Sequence, residues 1–87
     1  MTELTGGDVD YYKVPVPNPV NGEAYTAECN DLIESLGMSY AEGNVFKAIW
    51  RRAALRAGHG KPGSTALYES QKAEFFAARL VEQDTPR

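Results

Sequence analysis

The sequence predicts an all-α fold: a small three-helix domain with an extended, proline-rich N-terminal arm, assembled as a homo-oligomer. Apolar residues recur with helical spacing in three windows, at about residues 22–36, 39–57 and 65–83. Glycines punctuate the gaps between them, at Gly37 and through Ala57–Gly63. Ahead of the helices, Pro15, Pro17 and Pro19 fix φ and remove amide donors, so the arm at 11–21 is neither helix nor central strand. At 87 residues the chain forms one domain (11–83) with room for only a small core. Association between copies is the expected source of further burial.

In chain order, residues 1–10 read as a flexible tail, with Gly6 and Gly7 set among acids. Tyr11, Tyr12 and Lys13 then open the arm, which wraps its own surface or a partner's. The two tyrosines anchor it, with stacking on a ligand as the second reading. The first helix, about 22–36, turns Tyr25, Cys29, Leu32, Ile33 and Leu36 inward. Gly37 is its left-handed end, and Met38 closes the turn. No base neighbours Cys29 in sequence, so it reads as a core thiol.

The central helix opens with Ser39 and Glu42 at capping-box spacing. A turn of about 100° per residue gives it a core stripe of Val45, Phe46, Ile49 and Ala53. The other face carries Tyr40, Gly43, Asn44, Lys47 and Arg51. Lys47 and Arg51 are like charges one turn apart, a mildly unfavourable pair. Gly43 costs about 0.5–1 kcal/mol relative to alanine. Two local costs beside an amide and an aromatic point to an anion approaching this face; a solvated basic face is the plainer alternative.

The loop RAGHGKPGST, 56–65, is rich in glycine but is not a phosphate loop. Leu55 stands where that motif needs glycine, Pro62 follows Lys61, and a helix precedes it. It reads either as a mobile basic loop closing over an anion or as a solvated connection. His59 is expected to be exposed.

The third helix is capped by Ser64 or Thr65 and buries Ala66, Ala73, Phe76, Ala77 and Leu80. Beside that stripe run Tyr68, Lys72, Phe75 and Arg79, rings alternating with cations. Such a strip suits a nucleotide, and equally a subunit interface. Residues 84–87 form a short tail.

Composition excludes several function classes. The net charge of −3 argues against a general DNA or RNA binder, although six of the nine Lys and Arg fall between Lys47 and Lys72. One cysteine and one histidine give neither a disulfide nor a thiolate or His-rich metal centre, so no metal and no cofactor is expected. No apolar run is long enough to cross a membrane and no signal-peptide pattern opens the chain, so a cytoplasmic protein is expected.

Four short pieces in order also carry a resemblance. They are Tyr11-Tyr12-Lys13, then Glu34-Ser35-Leu36-Gly37, then Gly43-Asn44 through Lys47 to Arg51. The last is Glu69 through Lys72-Ala73 to Phe76 and Arg79. Over most of residues 11–82 the chain resembles a family of short phage proteins of unknown function labelled nucleotide-kinase-like. It departs from their pattern at Ala48, Glu69 and Phe76, where tyrosine, aspartate and tyrosine are usual, and in a longer basic loop.

The resemblance implies a small-nucleotide ligand, a host-cell cytoplasmic setting and one shared site. Tyr11, Tyr12, Lys13, Asn44, Lys47, Arg51, Lys72, Phe75 and Arg79 are the candidate ligand-binding residues, and no catalytic residue is assigned. The leading expectation is a phage protein that sequesters a host immune signal without cleaving it, of cyclic dinucleotide or cyclic ADP-ribose type. The alternatives are a nucleotide kinase, for which Glu42, Glu69 and Asp31 are scattered magnesium candidates, and a protein-binding inhibitor of a host factor.

Overall fold

The chain begins with a single 3-10 turn, Asp10–Tyr12, followed by two short strands, β1 (Lys13–Val16) and β2 (Tyr25–Glu28). Three helices complete it: α1 (Cys29–Leu36), α2 (Tyr40–Arg56) and α3 (Ala66–Asp84). The computed structural model describes residues 10–87, so the tail expected at 1–10 lies outside the described residues apart from Asp10.

The fold is therefore mostly helical but not all-α. The strands pair antiparallel with Lys13 opposite Glu28, Val14 opposite Ala27, Pro15 opposite Thr26 and Val16 opposite Tyr25. The arm is not free through its length, because its first half is β1. In a two-stranded ribbon every strand is an edge, which is where proline is tolerated. The first helix begins at Cys29 rather than near residue 22, since Tyr25-Thr26 favours a pleated ribbon and Lys13–Val16 supplies the strand it pairs with. Gly22 supplies the left-handed turn residue between the strands, at φ 81°.

The helix ends follow local chemistry. Gly37 sits left-handed at φ 62° and ψ 40°, its N–H donating to Glu34 O and that of Met38 to Ile33 O. In α2, Ser39 Oγ accepts from Glu42 N at 3.2 Å while Glu42 Oε1 accepts from Ser39 N at 2.8 Å. Thr65 Oγ1 accepts from Tyr68 N at 3.0 Å and caps α3. The loop between them folds back on the end of α2. His59 N donates to Ala54 O at 3.0 Å, Gly58 N donates to Leu55 O at 3.1 Å, and Gly60 lies directly on Leu55.

Helices α2 and α3 run antiparallel, with Tyr40 against Phe76 near one end and Arg51 against Glu69 toward the other. Apart from Arg51 and Glu69, the enclosed positions are small: Ala27, Cys29, Ala41, Gly43, Ala48, Ala54 and Ala73. This corrects the expected orientation of α2. Ile49 is exposed, and Val45, Phe46 and Ala53 are half-buried at the rim. The face carrying Gly43, Asn44, Lys47 and Arg51 is turned inward instead. Small residues let helices approach closely, which favours an Ala/Gly stripe at the contact. On α1 only Cys29 is enclosed and Ile33 half-buried against Gly43, while Tyr25, Leu32 and Leu36 face out. On α3 the expected stripe is buried at Ala73 and half-buried at Phe76, Ala77 and Leu80, but Ala66 is exposed and Glu69 is buried.

Candidate functional site

The interior of the helix pair holds an ion pair. Arg51 Nε donates to Glu69 Oε2 at 2.9 Å, with side-chain exposures of 4% and 0%. Arg51 Nη1 donates to the Tyr12 hydroxyl at 2.7 Å, and Ser64 Oγ donates to Glu69 Oε2 at 2.5 Å. Burial alone would push the carboxyl up and the guanidinium down. The hydrogen bonds override it: Arg51 and Ser64 hold Glu69 below the usual carboxylate range, while Glu69 and Tyr12 hold Arg51 above its ordinary value. Both groups stay charged. Glu69 Oε1 is buried with no hydrogen-bond partner among the described residues.

Tyr12 reaches this pair because the 3-10 turn is pinned. Trp50 Nε1 donates to the Tyr11 carbonyl at 2.8 Å, and the Tyr11 ring lies 4.7 Å from that of Tyr12. The Lys47 ammonium stands 5.8 Å from the Tyr12 ring centroid. The Lys72 ammonium stands 5.8 Å from the Tyr68 ring centroid on α3. With Arg51 facing Glu69 and Tyr40 facing Phe76, Lys47 and Lys72 fall at one level of the helix pair. Among the described residues neither lysine has an ion-pair partner. Arg51 and Lys72 both act on the Glu69 carboxylate, while Lys47 lies beside Tyr12 and within electrostatic reach of Cys29.

Cys29 lies within electrostatic reach of Lys47 and Arg51, but burial raises its thiol pKa more than those cations lower it. It is a neutral core thiol rather than a nucleophile.

The structure brings together Tyr12, Lys47, Arg51 and Lys72 of the residues expected to bind ligand. Tyr11 backs Tyr12, and Lys13 sits in β1 opposite Glu28. Asn44 Nδ2 donates to the Tyr40 carbonyl of its own helix at 2.8 Å. Phe75 and Arg79 are exposed farther along α3, with Phe75 meeting Phe76 edge-on at 5.1 Å. Arg51 changes role: expected on a ligand-facing surface, it is buried with Nε and Nη1 engaged inside the protein. Sequence reasoning missed Glu69 as its partner. The signal was present, because Glu69 is the sole acid between Lys47 and Lys72 among six bases. Ser64 was read only as a possible cap and Trp50 was assigned nothing. No family model, no curated protein and no solved structure matches the chain, so the functional reading rests on these residues.

Proposed function

We propose that this is a non-catalytic binding protein for a small nucleotide, acting by sequestration in the host cytoplasm, as the phage-family resemblance implies. The observation that carries the reading is the pair Lys47 and Lys72. Each ammonium is set over a tyrosine ring and neither forms an ion pair among the described residues, with Lys72 also within electrostatic reach of Glu69. Phosphate oxygens suit such ammonium groups, and the Tyr12 and Tyr68 rings offer stacking surfaces for a base. Binding of this kind needs complementarity to the ground state alone.

Phosphoryl transfer is less well served. It draws on carboxylates that hold metal and orient the nucleophile. The carboxylate amid these cations, Glu69, is committed to Arg51 and Ser64. A ligand seated between copies of the chain would join this reading to the expected homo-oligomer. A protein-binding inhibitor is favoured instead by the exposed Val20, Tyr25 and Leu36 on the acidic side of the molecule.

The test is incubation with a panel of cyclic and linear nucleotides, with and without ATP and magnesium, followed by heat denaturation and identification of what is released. Unaltered nucleotide recovered after depletion from solution supports sequestration. A phosphorylated product accumulating beyond the protein concentration overturns it in favour of a kinase. Lys47→Glu should weaken nucleotide binding by about 1.5–3 kcal/mol, the range for a charge-assisted hydrogen bond, and leave capture of a host protein through the acidic side intact.

A further inference from the structure

The second face of α3 is largely exposed among the described residues. Glu69, Ala73, Phe76 and Leu80 turn toward α2, whereas Tyr68, Lys72, Phe75 and Arg79 form a parallel stripe. Tyr68 is 54% and Phe75 63% exposed. The stripe's spacing of four, three and four residues keeps it straight along a helix, as in a coiled-coil seam. Its chemistry alternates ring, cation, ring, cation. Read backwards, the order becomes cation, ring, cation, ring, so the stripe is complementary to its own reversal.

From this we infer that the occupant of the face is a second copy of this chain, packed α3 to α3 in antiparallel fashion about a two-fold axis between Ala73 and Glu74. In that register Tyr68 meets the partner's Arg79 and Lys72 meets the partner's Phe75. The axis repeats both contacts, giving the self-complementary interface that a closed dimer requires. Each is a cation set on an aromatic face, the arrangement Lys72 already makes with Tyr68 within the helix. A parallel pairing would instead set Lys72 on Lys72 and Arg79 on Arg79, which like-charge repulsion disfavours.

The remaining charge distribution agrees with the antiparallel register. Residues 14–46 carry five acids and no Lys or Arg, whereas residues 47–72 carry six bases and one acid. Past Arg79, Glu82 and Asp84 of one copy come alongside the loop that carries Lys61 of the other. Opposite ends of the two molecules are thereby matched in sign.

Lys72 and Tyr68 also belong to the proposed nucleotide site, so a nucleotide would enter between the copies in place of their contacts, and the dimer is tested on the ligand-free full chain. Light scattering or sedimentation from micromolar to millimolar concentration should show a particle of twice the 9.5 kDa chain mass. Phe75→Glu should weaken association at least a hundredfold while leaving the far-ultraviolet helical signal unchanged. Register is read by thiol cross-linking, with the enclosed Cys29 left in place. A Tyr68→Cys/Arg79→Cys double variant should form a disulfide-linked dimer under mild oxidation, and neither single variant should. Wild-type protein that stays monomeric throughout overturns the proposal. So does a folded Phe75→Glu protein that remains dimeric, or a single-cysteine variant that links efficiently to itself.

Discussion

Replacing Arg51 with alanine should cost the fold a large share of its stability before it reveals anything about ligand. The replacement leaves the Glu69 carboxylate, 0% exposed, with Ser64 Oγ as its remaining hydrogen-bond donor. The other oxygen, Oε1, already has no partner among the described residues. The Tyr12 hydroxyl loses the guanidinium as well. Removing one member of a buried pair costs about 3–5 kcal/mol. A chain of 87 residues has about 4–13 kcal/mol of total stability at roughly 0.05–0.15 kcal/mol per residue. The loss is thus about a quarter of the whole or more. Urea unfolding followed by circular dichroism should show the midpoint falling by about 2 M or more, given a slope near 1–2 kcal/mol per molar for a small domain. Removing both charges, as Arg51→Met/Glu69→Leu, should recover stability to within about 1.5 kcal/mol of wild type, because apolar replacements of a buried pair are often neutral or better. An Arg51→Ala protein that loses less than about 1 kcal/mol, or a double variant no more stable than the worse single, would refute the buried pair. Arg51 would then return to the ligand-facing role its sequence position first indicated.

Other predictions bear on separate parts of the molecule. The Glu69 carboxyl sits below its ordinary value of 4.5, so its contribution is complete above that pH and disappears as pH falls through the depressed folded value. Glu69→Gln should therefore flatten the loss of stability on acidification below pH 4.5, measured by thermal melts across a pH series. The Cys29 thiol sits above its ordinary value of 9.0, so its contribution is present below that pH and is lost as pH rises through the raised folded value. A thiol reagent at neutral pH should label Cys29 at the rate of global opening and speed up sharply in denaturant. Gly60→Ala should lower stability by about 1–3 kcal/mol, because its Cβ would stand 2.7 Å from the Leu55 Cα, where backbone cannot yield cheaply. A melting temperature unchanged by that substitution would show that the loop does not fold back on α2.

What was legible in the sequence was whatever depends on near neighbours. Ser39 and Glu42 specify a helix start by themselves, Gly37 an end, and Thr65 a cap, and all three are found as read. Two things depended on residues far apart. The ribbon formed because Tyr25–Glu28 had Lys13–Val16 to pair with, a partner that a local window does not weigh. The orientation of α2 depended on Glu69, 18 residues beyond Arg51. Helical spacing alone turns large apolar residues inward and cations outward. That rule fails when a cation carries its counter-charge into the interior and alanines allow the backbones to close around it. The bulky side chains displaced by that choice have to go somewhere, which is why Ile49 stands in solvent. The same substitution of charge for bulk at the core thus accounts for both the missed face of α2 and the steep dependence on Arg51.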